Sequence, residues 1–84
     1  MSAFPPTSHI LFLQYLDQPG IVGTVGHTLG QAKINIAGMQ VGRSAAGGKA
    51  LMALTVDSDV SDELLATIKR ETSAESVRAV VLVD

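Results

Sequence analysis

Tyr15, Leu16 and Asp17 end a short apolar run, and Pro19, Gly20, Ile21 and Val22 open the segment that follows. A helix beginning there would leave its first backbone N–H groups free, and such groups favour an anion such as a carboxylate. The carboxylate of Asp17 could hold an ammonium group. A carboxylate beside free N–H groups suits the two charged ends of an amino acid. The same residues also fit a plainer role, with Asp17 simply capping the helix. Asn35 is the other polar residue of interest. It falls early in an otherwise apolar strand, where Asn is disfavoured. A hydrogen bond to a neighbouring loop would explain it without any ligand.

Other constellations do not survive inspection. Gly20-x-x-Gly23-x-x-Gly26 has the wrong spacing for a dinucleotide fingerprint. The stretch from Gly42 to Lys49 looks like a phosphate loop, but Lys49 comes one place late and Ala50 stands where Ser or Thr should ligate magnesium. His9 and His27 have no carboxylate close in sequence and read as solvated. No nucleophile–base pair or carboxylate pair stands out. No catalytic residue, metal site or cofactor is therefore expected in this chain.

The elements that would position these residues follow from pattern. Met1–Ser8, with Pro5-Pro6, reads as a tether, leaving residues 9–84 as one domain. Ile10–Leu16 reads as strand one. Ile21, Val25 and Leu29 recur every four residues and predict helix one, ending near Gly30 or Ala32. Gly23, Gly26 and Gly30 fall inside that helix at a cost of about 1 kcal/mol each. They suggest either tight packing of helix on sheet or close approach of another backbone or a ligand. Ile34–Gly42 alternates as strand two, with Ile34, Ile36 and Gly38 on one face and Asn35, Ala37, Met39 and Val41 on the other. Gly47-Gly48 signals a hairpin. Lys49–Val56 is strand three. Ser61 caps helix two, with Asp62 and Glu63 in its first turn and Val60 and Leu65 as staple. Val77–Val83 is strand four.

This order predicts an α+β, ferredoxin-like βαββαβ fold: a four-stranded antiparallel sheet with two helices on one face. Strands two and four would be its edges. The strands are apolar on both faces, so the second face or an edge should also be covered, most simply by a second copy.

Composition narrows the function classes. The chain has 84 residues, 46% of them apolar, a net charge of −2 and no Cys. The six basic residues are scattered, so no positive footprint favours nucleic acid or an anionic membrane surface. Disulfides and Cys-based zinc sites are excluded. No apolar run is long enough to span a bilayer as a helix, and no signal peptide is visible. A cytoplasmic location is expected.

The stretch Tyr15-Leu16-Asp17-Gln18-Pro19-Gly20-Ile21-Val22-Gly23, followed by Lys33-Ile34-Asn35-Ile36-Ala37, resembles the ACT domain signature. Within that family it is most similar to the C-terminal domains of D-3-phosphoglycerate dehydrogenases, with Ala37, Met39 and Gln40 continuing the pattern. The likeness runs from His9 to Asp84. It implies self-association side by side through strand two, and an L-serine effector bound where two domains meet. It also implies effector contacts at Tyr15 and Asp17, where the family often has His and Asn. Asn35 would reach the effector from across the interface, and Pro19, Gly20, Ile21 and Val22 would line it with backbone. Feedback inhibition of a dehydrogenase is the implied role, its nicotinamide cofactor lying outside these residues. The rivals are a free-standing ACT protein that senses another amino acid or only oligomerises, an acylphosphatase-like hydrolase and an RNA-binding domain of the same topology. The hydrolase lacks its loop Arg, since Gln18-Pro19-Gly20 stands there. The RNA-binding domain lacks its aromatics and basic face.

Overall fold

The computed structural model describes residues 7–43 and 48–83. Six elements follow in order: β1 Thr7–Leu16, α1 Ile21–Gln31, β2 Ile36–Arg43, β3 Lys49–Val56, α2 Asp62–Thr72 and β4 Ser76–Val83. The strands form one antiparallel sheet in the order β2-β3-β1-β4, as the βαββαβ expectation requires. β2 and β4 are the edges.

One face of the sheet carries the core. Leu11, Leu13 and Tyr15 of β1 sit beside Ala50, Met52, Leu54 and Val56 of β3, and all seven are buried. Ile21, Val25 and Leu29 of α1 and Ile68 of α2 close over them. The four-residue spacing along α1 and the two-residue spacing along β3 are what let these side chains meet on one surface. Ser61 caps α2 through its hydroxyl, which accepts from the Leu64 N–H at 3.1 Å. Val60 is buried beneath that cap.

Among the described residues no helix covers the opposite face. Ile10 and Phe12 are half-buried there, while Leu51, Val80 and Leu82 are exposed.

Several boundaries differ from the sequence reading. β1 begins at Thr7, so Ser8, placed in the tether, pairs with Leu82. Met1–Pro6, including the Pro5-Pro6 pair, lie outside the described residues, as do residues 44–47 of the expected hairpin. β2 begins at Ile36, not Ile34. The cause is the way α1 ends. Lys33 takes a left-handed φ of 61°, and the Ile34 N–H returns to the Leu29 carbonyl at 3.0 Å. The backbone of Ile34 is thereby spent on the helix end before pairing can start, and the Ile34 side chain is buried in the core.

The alternation assigned to β2 also fails at one point. The register slips between Ile36 and Gly38, so Ala37 is an extra residue. Ile36, Met39 and Val41 consequently lie opposite Val56, Leu54 and Met52, on the helix-covered side of the sheet. The reading of the α1 glycines as a tight contact of helix on sheet does not hold. A Cβ added at Gly23, Gly26 or Gly30 would meet no atom within 4 Å.

Candidate functional site

The bend between β1 and α1 is held from two sides. The Asp17 N–H donates to the Gly48 carbonyl at 2.8 Å, tying the bend to the start of β3. The Asp17 carboxylate receives the Arg43 guanidinium from the end of β2, with Nη1 to Oδ2 at 2.9 Å. The Arg43 side chain is 58% exposed and that of Asp17 20%. The carboxylate is thus largely sheltered, while its partner reaches in from the edge strand. Asp17, Gln18, Pro19 and Arg43 line a cleft of about 460 Å³.

Asp17 does not cap α1, so the plain reading of that residue is overturned. The N-cap is Gly20, in a left-handed conformation at φ 93°, and no side chain bonds to the helix start. Glycine alone reaches that conformation without strain. The first turn of α1 holds no acidic residue, so nothing covalent to the helix offsets its positive end. The turn is stiffened one step on, where both Thr24 N–H and Thr24 Oγ1 donate to the Gly20 carbonyl, at 2.9 and 3.0 Å.

The other residues singled out by sequence are distributed as follows. Ile21 is buried and packs into the core, leaving only its backbone to the bend. Val22 is exposed beside it. Tyr15 is buried on the helix-covered face, opposite Ala50. It lines a different, smaller cleft of about 260 Å³ with Leu16, Lys49, Ser73 and Glu75. Burial pushes the Tyr15 phenol above its ordinary pKa; the Asp17 carboxylate adds to the rise and Arg43 opposes it.

Asn35 is not with them. It sits at the far end of the sheet, where β2 starts next to Val56, whereas Arg43 lies next to Ala50 at the other end of β3. Ala50 and Val56 are six residue steps apart along β3, roughly 20 Å at the usual rise per residue. There Asn35 is clamped by Asp57. Its backbone N–H donates to Asp57 Oδ1 at 3.0 Å, and its Nδ2 donates to Oδ2 at 3.2 Å. The Asp57 N–H returns to the Asn35 carbonyl at 3.1 Å. These bonds to the ionised form hold the Asp57 carboxyl below its ordinary pKa, the backbone bond from Asn35 contributing most. The loop hydrogen bond offered by the plainer reading of Asn35 is therefore real, and among the described residues nothing bonds to the Asn35 side-chain oxygen Oδ1.

Sequence reasoning passed over Arg43 and Asp57. Both pair with residues more than twenty positions away, and only the signs of the charges could have suggested partners. Among the described residues no group of three or more His, Cys, Asp or Glu gathers as metal ligands do. His9 comes within 3.9 Å of Asp59, too far for a hydrogen bond. No described helix is long and apolar enough to cross a membrane.

Comparison with known proteins locates this arrangement. The ACT domain family matches residues 9–72. D-3-phosphoglycerate dehydrogenase of Bacillus subtilis is 41% identical over 81 residues, which cover 96% of this chain and 15% of that protein. The enzyme of the same name from Synechocystis is 46% identical over 66 residues, covering 79% of this chain and 12% of that one. The chain thus spans about a seventh of the curated relatives it matches. In structure it is similar to a formyltetrahydrofolate deformylase from Pseudomonas syringae, with a TM-score of 0.74 at 19% identity over 94% of this chain and 28% of that one. A likeness at that identity speaks to the fold.

Proposed function

The chain belongs to the ACT domain family as an amino-acid-binding regulatory domain, and from that premise we propose that it binds L-serine between two copies of itself and so governs a D-3-phosphoglycerate dehydrogenase. The bend Asp17–Val22 would receive one face of the amino acid and Asn35 of the partner subunit the other. Tyr15 immediately precedes the bend, its side chain buried on the helix-covered face.

One observation carries the proposal: Asn35 stands at one end of the edge strand β2, and Arg43, paired with Asp17, stands at the other. Within one chain they cannot meet. If two copies pair antiparallel along β2, a two-fold axis near the middle of the strand sets the start of one β2 beside the end of the other. Asn35 of each copy then faces the Asp17–Arg43 cleft of its neighbour. An edge strand has unpaired backbone groups ready for such pairing. Val41 and Met39, exposed at that edge, would gain cover.

Feedback follows from linkage. Serine bound between two domains stabilises the paired arrangement, and any coupling of that arrangement to catalytic domains elsewhere in the parent protein changes their activity. Catalysis and its nicotinamide cofactor belong to those other domains.

Calorimetric titration of the domain with L-serine and with a panel of other amino acids tests the proposal. Serine should bind, and Asn35→Ala should weaken it by about tenfold or more, the scale of a hydrogen bond to a charged group. Circular dichroism should show the fold retained, since Asn35 is exposed. If no amino acid in the panel gives heat, the domain is an oligomerisation module and the proposal fails.

A further inference from the structure

We propose that Arg43 is the residue that recognises the effector's carboxylate, with Asp17 taking the ammonium group of the same molecule. This rests on the effector-site reading above and adds to it a residue and a basis for selecting α-amino acids.

The geometry supplies two opposite charges side by side. Arg43 Nη1 and Asp17 Oδ2 stand 2.9 Å apart, at the mouth of the cleft they share with Gln18 and Pro19. Each partner has bonding capacity to spare. Among the described residues, Asp17 Oδ1 accepts no side-chain hydrogen bond and the Arg43 guanidinium donates one, to Asp17 Oδ2, out of its five N–H donors. An α-amino acid carries its own ammonium and carboxylate at a similar separation. Laid against the pair, it forms a ring of alternating charge: Asp17 carboxylate, ligand ammonium, ligand carboxylate, Arg43 guanidinium. The forked guanidinium matches a planar carboxylate better than an ammonium would. The uncapped positive end of α1 adds to the same field.

A purely structural ion pair is the competing explanation, and the exposure weighs against it. With Arg43 more than half exposed, the pair contributes little to stability. The backbone bond from Asp17 to Gly48 already holds the bend without it. Arg43 also lies at the end of β2 that would sit beside the partner's Asn35, so it closes the cleft on the side where the second copy arrives.

L-serine and L-serinamide separate the possibilities, because the amide keeps the ammonium and the hydroxyl but has no carboxylate. Calorimetric titration compares both ligands on the unmodified chain and on Arg43→Ala and Arg43→Gln. The unmodified chain should prefer serine by about tenfold or more, the scale of a charged hydrogen-bond pair. In both variants the preference should collapse, serine weakening by about tenfold while serinamide changes little. Thermal melting of the variants should match the unmodified chain. Equal weakening of both ligands, or tighter serine binding once Arg43 is gone, overturns the assignment while leaving the effector site standing. Failure of the unmodified chain to bind serine removes the site itself, and this assignment with it.

Discussion

Replacing Gly23 and Gly26 of α1 together by alanine should stabilise the domain. Both lie inside a regular helix, and a Cβ at either position meets no atom within 4 Å. No steric cost therefore opposes the gain in helix propensity, about 0.5–1 kcal/mol at each site, much of it from fewer conformations in the unfolded chain. The pair should add about 1–2 kcal/mol. At ~4–8 °C per kcal/mol for a domain of this size, the melting temperature should rise by roughly 4–16 °C. Thermal melts followed by circular dichroism, over a hundredfold range of protein concentration, measure it. Gly20→Ala is the control of opposite sign. Space is open there too, but φ is +93°, and left-handed backbone costs a side chain about 1–2 kcal/mol. A fall in melting temperature for Gly23→Ala/Gly26→Ala would refute the reasoning. It would mean that another surface fills the space over α1, and a loss that grows with concentration would identify that surface as a second copy.

Two further outcomes are expected. Leu54→Ala, at a fully buried position in the centre of β3, should cost about 2–5 kcal/mol in urea denaturation. Asp57 has a lowered pKa, so its contribution to stability is complete above the ordinary carboxylate range and is lost as pH falls below it. Urea melts at descending pH should therefore show a smaller acid-induced loss in Asp57→Asn than in the unmodified chain, and an identical loss would remove the Asn35–Asp57 clamp from the account.

Local patterns were legible where packing and periodicity agree. β3 is legible at Lys49–Val56 because Ala50, Met52, Leu54 and Val56 alternate along it, and the structure buries all four. Ser61 announced α2 because a cap is a local device, complete within four residues. β2 was less legible. Period-two alternation runs through Ile34 and Ile36, but the left-handed turn at Lys33 and the extra residue at Ala37 are backbone events that side-chain identity does not announce. The glycines of α1 misled for a related reason. Sequence says that they cost helix stability but not whether anything occupies the space they leave. At the bend, the D-x-P-G sequence marks the turn from β1 into α1, while the counter-ion of Asp17 comes from 26 residues away. Long-range pairs of this kind are decided by strand register, and register became visible only once the sheet had closed.

The separation of Asn35 from Arg43 along one edge strand has a consequence for how an assembled pair would be regulated. Each bound molecule would touch both chains near the ends of β2, like a pin through two overlapping rulers. Sliding the strands by two residues keeps every side chain on its own face, yet displaces the two halves of each receptor by roughly 7 Å. An amino acid is too small to bridge that gap, so its occupancy would lock a single alignment of the two sheets, and small offsets between neighbouring subunits would be read out as affinity.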